Sequence, residues 1–223
     1  MSDTSATIRQ RFLAVDTSNV ADVLDQMGHL DYGLSASFLP YPASAGKLAG
    51  WAYTIRGQMV PYEGTGDAAK MQACAGISRD EVSVWSGDGE GICYFGELIA
   101  LGMQERGSVG ALVDGGIRDV RRLGEHGYTC YARYRTPVQS IGRWKVTGAQ
   151  ERVYVAGATV SRVAIDPGDF ILADDDGAIV IPAAIVDAVL TRAEELTATE
   201  VRIRAELAGG LSLAEALEKF GHV

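Results

Sequence analysis

Apolar positions fall in two rhythms along this chain. After Thr17-Ser18-Asn19, residues Val20, Val23, Leu24 and Met27 recur at helical spacing, and Gly28 follows. That pattern predicts a capped amphipathic helix. Residues 47–61 alternate and read as one or two strands. Residues 66–77 read as a helix. Residues 81–85 read as a strand ending at Gly87-Asp88-Gly89, and residues 96–106 as a helix stopped by Gly107. A strand over 109–113, broken by Asp114-Gly115-Gly116, leads to Arg118-Asp119 at the mouth of a helix over 119–126. A further strand covers 128–132. Strand and helix alternating in this way predict βα units with a partly parallel sheet.

The second half changes character. Residues 152–155, 158–160 and 170–172 read as short strands. Asp174-Asp175-Asp176-Gly177 makes a tight turn, and residues 178–181 return as a strand. An Asp-Gly turn between β runs is a hairpin signal. Residues 182–207 then read as one helix, opened by Pro182 and ended by Gly209-Gly210. At ~1.5 Å per residue it spans roughly 40 Å, more than one small domain needs. Such a helix is expected to pack on a neighbouring subunit. Ser212-Leu213-Ala214-Glu215 is a capping box opening a last short helix. The expected architecture is a single α/β domain over residues 1–223 with a β-rich second half. Residues 182–223 form its helical C-terminal extension. There is no internal repeat.

Composition narrows the partners. The 223 residues are 47% hydrophobic and 22% charged, ordinary globular values. A formal net charge of −9 without a basic run argues against a nucleic-acid partner. The first residues lack the apolar core of a signal peptide, and no apolar run is long enough for a bilayer. No membrane association and a cytoplasmic location are the resulting expectations. Cys74, Cys93 and Cys130 share no disulfide or zinc spacing. They are expected to be reduced, buried and inert.

Candidate chemistry gathers between Gly96 and Arg122. A glycine turn lets backbone approach a ligand. Arg118 offers a fork that matches a carboxylate, and Asp119 a hard oxygen for a divalent cation. Asp119 equally suits a helix N-cap, and Arg118 a surface position. Glu97 follows Gly96 at a helix start, where the amides of Leu98 and Ile99 would be unpaired and able to hold an anion. It equally reads as a first-turn acid favoured by the helix dipole. The run Asp174–Asp176 lacks the spaced ligands of a calcium loop and reads as turn chemistry. His29, His126 and His222 share no ligand spacing.

Gly96-Glu97-Leu98, the run GALVDGGIRDV, the later Asp166-Pro167-Gly168-Asp169 with ADDDGAIVIP, and the closing helix with its Ser-capped tail resemble the RraA-like family. That family includes class II pyruvate aldolases acting on 4-hydroxy-4-methyl-2-oxoglutarate and 4-carboxy-4-hydroxy-2-oxoadipate, and the RraA regulators of ribonuclease E. As in those aldolases, 21 positions separate the acid after glycine (Glu97) from the arginine (Arg118). The resemblance implies an α/β/β/α sandwich assembled as a homotrimer or homohexamer, with a site between subunits and one Mg²⁺ or Mn²⁺. Asp119 matches the metal ligand and Arg118 the carboxylate-binding arginine. Glu97 matches the acid that orients a metal-bound water. Glu200 matches an acid lent by the closing helix to a neighbour's site.

One position departs from the aldolase pattern, which has an acid three residues after the Asp. Here that place is Arg122. Glu125 does not replace it, since six helical residues turn about 240° and three about 300°, nearer the Asp119 face. The implied function is a metal-dependent lyase on a small 2-oxo acid, by retro-aldol release of pyruvate or decarboxylation of oxaloacetate. Arg118 and the amides after Gly96 (Leu98, Ile99) would hold the carboxylate, and Arg122 a second anionic group. The competing expectations are a non-catalytic regulator binding a ribonuclease, and a different lyase or dehydratase whose pocket Tyr53, Arg56, Tyr62, Tyr94 and Arg143 would shape.

Overall fold

A computed structural model describes residues 2–87 and 89–222. Asp88, in the turn expected after the third strand, lies outside the described residues. The helices are α1 (Ser2–Phe12), α2 (Thr17–Gln26), α3 (Ala68–Ala75), α4 (Glu97–Gln104), α5 (Val120–Glu125), α6 (Val186–Ala208) and α7 (Leu213–Phe220). The strands are β1 (Leu39–Tyr41), β2 (Leu48–Met59), β3 (Glu81–Ser86), β4 (Cys93–Phe95), β5 (Gly110–Ile117), β6 (Cys130–Arg135), β7 (Trp144–Ala149), β8 (Val153–Ala156), β9 (Arg162–Ile165), β10 (Phe170–Asp174) and β11 (Gly177–Ile181).

The main sheet runs β1-β6-β5-β3-β2-β10-β11, with β4 beside β5 and β7 beside β2. The β2, β3, β5 and β6 strands pair in parallel, as the strand-helix alternation predicts. The β10–β11 pair is an antiparallel hairpin in which Asp174 faces Gly177, the expected tight turn. A separate ribbon, β8–β9, is antiparallel.

Side-chain alternation sorts the core into three clusters. Ile55, Trp85, Ala111 and Val113 pack with residues of α3 and α4. Val82, Val84 and Leu112 turn the other way and meet Val153, Val155 and Val163 of the ribbon, with Ile171 and Val180. Phe170 and Leu172, on the opposite face of β10, meet Phe12, Val20, Val23, Leu24, Val189 and Leu190. Two helical layers thus enclose two β layers, the α/β/β/α order of the resemblance.

Two expectations about the strands are corrected. The Asp114-Gly115-Gly116 segment does not break the strand: β5 continues through it. A Cβ on Gly115 would lie 2.3 Å from the Tyr94 ring, and one on Gly116 2.4 Å from the Ile92 carbonyl. These glycines admit β4 and its tyrosine against the sheet. The 158–160 segment is the bend between β8 and β9, not a strand. The β1, β4, β7 and β9 strands were not anticipated, being short. The α1 helix was hidden by a mostly polar sequence. It is held by the Phe12–Phe170 ring stack at 4.4 Å and by Arg11 paired with Glu194 at 2.7 Å.

The closing helix starts later than expected. Pro182 precedes a 3₁₀ turn, Ala183–Ile185, before α6 begins at Val186. Ser212 and Glu215 form the expected capping box of α7. No helix among the described residues is long and apolar enough to cross a membrane.

Candidate functional site

The parallel strands β4 and β5 end side by side, and each runs directly into a helix. Beyond β4 stand Gly96 and α4; beyond β5 stand Arg118, Asp119 and α5. Crevices outside the carboxyl ends of parallel strands are where open α/β sheets bind ligands. A pocket of about 290 Å³ opens here, lined by Gly96, Leu98, Ile99, Arg118 and Asp119 from these two junctions. Lys70, Tyr62, Tyr94 and Ser140 line it as well.

The Arg118 backbone amide donates to the Phe95 carbonyl at 3.1 Å, which ties the two junctions together. Asp119 does not cap α5 with its side chain. It adopts the left-handed conformation, φ 59° and ψ 30°, a strained state that Asp tolerates better than most residues. Its Oδ2 instead accepts from the Glu97 amide at 3.3 Å and lies 3.5 Å from Arg118 Nε. Gly96 explains how three groups fit. A Cβ there would sit 2.8 Å from Asp119 Oδ2 and 3.1 Å from Arg118 Cγ.

At the start of α4 the Ala100 amide bonds back to Gly96, while the amides of Leu98 and Ile99 have no acceptor among the described residues. Leu98 is 78% exposed. Unpaired first-turn amides attract anions. The Glu97 carboxylate contacts His126 Nε2 at 3.3 Å and does not line the pocket. Arg122 is exposed on the last turn of α5. Glu200 lies on α6, paired with Arg204 at 2.6 Å and 3.7 Å from His222. The chain therefore unites Gly96, Leu98, Ile99, Arg118 and Asp119, with Glu97 adjacent. It brings neither Arg122 nor Glu200 to the pocket.

Of the alternative pocket set, Tyr62 and Tyr94 line this cavity. The other three do not. Tyr53 donates to the Ala73 carbonyl, Arg56 pairs with Glu151, and Arg143 donates to the Gln139 carbonyl. Cys74, Cys93 and Cys130 are free thiols. Cys74 is only partly buried; burial raises all three above the ordinary thiol range, so the thiolate form is disfavoured.

Sequence reasoning missed Lys70. It is 7% exposed, and its ammonium donates to the Tyr94 carbonyl and to Ser140 Oγ. Burial lowers its pKa to about 8, with the Arg118 charge adding in the same direction. A signal existed. Lys70 is in helical register with Ala73, Cys74 and Ile77, on the stripe that α3 turns to the core.

Among the described residues no three His, Cys, Asp or Glu side chains gather as a metal cluster. Two carboxylates line the pocket: both oxygens of Asp67 accept backbone amides, from Lys70 and Val146, whereas Asp119 keeps one oxygen, Oδ1, with no hydrogen bond among the described residues. That donor set does not suit a structural zinc. It does suit Mg²⁺, which keeps several waters and is often held by one or two carboxylates together with substrate oxygens.

A mixed α/β fold thus carries an arginine-carboxylate pair at its strand ends, beside a small pocket. The chain belongs to the RraA-like family: the Aldolase/RraA model matches residues 17–180. It is similar to the protein DlpA of Legionella pneumophila, 30% identical over 98% of this chain. The chain spans about a third of the length of that relative, 34%. It resembles in structure an uncharacterised protein from Pseudomonas syringae pv. tomato, with a TM-score of 0.82, 24% identity and coverage of 96% of this chain and 94% of that one. It also resembles RraAS2 of Streptomyces coelicolor, an unusual member of the RNase ES inhibitor RraA family. There the TM-score is 0.74, identity is 23%, and coverage is 89% of this chain and 96% of that one. These structural likenesses bear on the fold.

Proposed function

We propose that this chain is a divalent-metal-dependent lyase of the cytoplasm acting on a small 2-oxo acid, with oxaloacetate decarboxylation favoured over retro-aldol cleavage. The observation that carries this reading is the meeting of Arg118, Asp119 and the open amides of Leu98 and Ile99 around one pocket. A 2-oxo acid presents a carboxylate beside a carbonyl. Arg118 donates its planar fork to the carboxylate, and the amides of α4 complete its hydrogen bonds. A Mg²⁺ or Mn²⁺ ion held by Asp119 would supply Lewis-acid polarisation of the 2-oxo carbonyl. Asp119 is pre-positioned for this by its own backbone conformation and by the Glu97 amide, so little reorganisation is needed on binding.

Glu97 and His126 form the proton path. The carboxylate lies against the imidazole at 3.3 Å, and the His126 side chain is 38% exposed. A proton can pass from solvent through His126 Nε2 to Glu97 Oε1, and Glu97 stands between two residues that line the pocket, Gly96 and Leu98. Arg122 favours decarboxylation, because that reaction needs no base to take a hydroxyl proton, and the acid of the aldolases is absent. The exposure of Val201 on the second half of α6 supports a homotrimer or homohexamer in which Glu200 leaves Arg204 and His222 to reach a neighbour's pocket.

Binding of oxalate with Mn²⁺ tests the site. Oxalate mimics the planar enolate of pyruvate. Arg118→Lys keeps the charge and loses the fork, and should weaken oxalate about tenfold or more at unchanged melting temperature. Equal affinity of the two proteins by calorimetry would remove Arg118 from the site.

A further inference from the structure

The pocket holds two polar groups that the reading above leaves unused. Lys70 carries a buried charge on neutral partners. Its ammonium donates to the Tyr94 carbonyl and, at 3.4 Å, to Ser140 Oγ. The rings of Trp85 and Trp144 lie 5.5 and 5.6 Å from it. Its third N–H has no acceptor among the described residues. The nearest acid on its own helix turn is committed elsewhere: Asp67 Oδ1 accepts from the Lys70 backbone amide and Oδ2 from the Val146 amide. The titratable groups that face Lys70 are Asp67 and the thiol of Cys74 from its own element, the thiol of Cys93 from β4, and Arg118 from the end of β5. None gives it a carboxylate partner. A buried ammonium without a counter-charge is costly.

Tyr62 is the second group. Its hydroxyl is buried with no hydrogen-bond partner among the described residues, and it lines the same pocket. An unsatisfied buried hydroxyl costs roughly what a lost hydrogen bond costs. One N–H and one O–H await acceptors in a single small cavity, and a carboxylate has two oxygens to offer.

We propose that Lys70 and Tyr62 form a second anion subsite, separate from Arg118, that receives the distal carboxylate of a dicarboxylic 2-oxo acid. The inference rests on the reading of Arg118 given above. Arg118 takes the carboxylate beside the carbonyl, and Lys70 sets the preference for a dianion. An arriving carboxylate supplies the missing counter-charge and favours the protonated amine, so binding takes up a proton near pH 8.

Calorimetric titration with pyruvate and with 2-oxoglutarate, each with Mg²⁺, tests this on the wild type, Tyr62→Phe and Lys70→Met. Tyr62→Phe removes only one oxygen and serves as the variant least able to disturb the fold. The wild type should prefer 2-oxoglutarate by about tenfold or more, the worth of charge-assisted hydrogen bonds. Both variants should bring that ratio toward one by weakening 2-oxoglutarate selectively. A wild type that binds pyruvate but shows no preference overturns the second subsite and leaves the first. Variants that weaken both ligands equally overturn it too. A wild type that binds neither ligand overturns both readings.

Discussion

Lys70 makes a prediction at the scale of one residue. Burial lowers its pKa from the ordinary 10.5 to about 8. Below pH 8 both the folded and unfolded chains hold this proton, and the folded state bears the full penalty of a buried charge. Between about 8 and 10.5 the unfolded chain binds more protons, so this group's contribution to stability rises with pH. The total change is about 3 kcal/mol. Buried thiols such as Cys74, pushed up to about 11, act in the opposite sense above pH 9. A difference measurement cancels them. Urea unfolding of wild type and Lys70→Met at about pH 7 and about pH 10 should show the wild type gaining on the variant at the higher pH. A constant difference would mean that Lys70 is solvated. Arg118, Asp119 and Glu97 could be picked out in the sequence, because a glycine, an acid and an Arg-Asp pair mark helix starts. Tyr62 could be named only as one of several aromatic and basic candidates, and the signal for Lys70, its register with the apolar stripe of α3, was overlooked, because nothing local says that either side chain faces a cavity built by distant strands.

Elements were legible where pattern and packing agree. The β10–β11 hairpin and the α7 cap are written in local turn and capping chemistry, and both form as expected. The β5 strand was misjudged because glycine is ambiguous: it marks turns and also close approach. Here it serves the second purpose, and the consequence can be measured. Gly116→Ala would place a methyl 2.4 Å from the Ile92 carbonyl and 2.5 Å from the Tyr134 ring. The Ile92 backbone, just before β4, cannot yield as a flexible side chain can. The substitution should cost about 1–3 kcal/mol or more, as overpacking does, seen as a lower urea midpoint with an unchanged slope. Wild-type stability in Gly116→Ala would restore the turn reading. The α1 helix and the β7 and β9 strands were illegible for a related reason: each is stabilised by tertiary partners, Phe170 and Glu194 in the case of α1.

At the scale of the whole molecule, the order of layers follows from alternation along the strands. The use of α6 does not. Its first half buries Val186, Val189, Leu190 and Ala193 against this chain, but Val201 in the second half is 58% exposed. An exposed valine beside Glu200 fits contact with a neighbouring copy. Light scattering at micromolar concentration should give the mass of a trimer or hexamer. A monomer mass would leave Glu200 without a pocket to serve and would confine the site to Arg118, Asp119, Glu97 and the amides of α4.

The most direct test of the account is release of pyruvate from oxaloacetate with saturating Mg²⁺, measured above the protein-free rate for the wild type and Asp119→Asn. That substitution keeps the size of the side chain and removes the negative charge on which the cation depends. The account predicts metal-dependent turnover by the wild type and loss of about a hundredfold or more in the variant, several kcal/mol of lost charge stabilisation. Equal rates in the two proteins, or a wild type inactive with both Mg²⁺ and Mn²⁺, would contradict it.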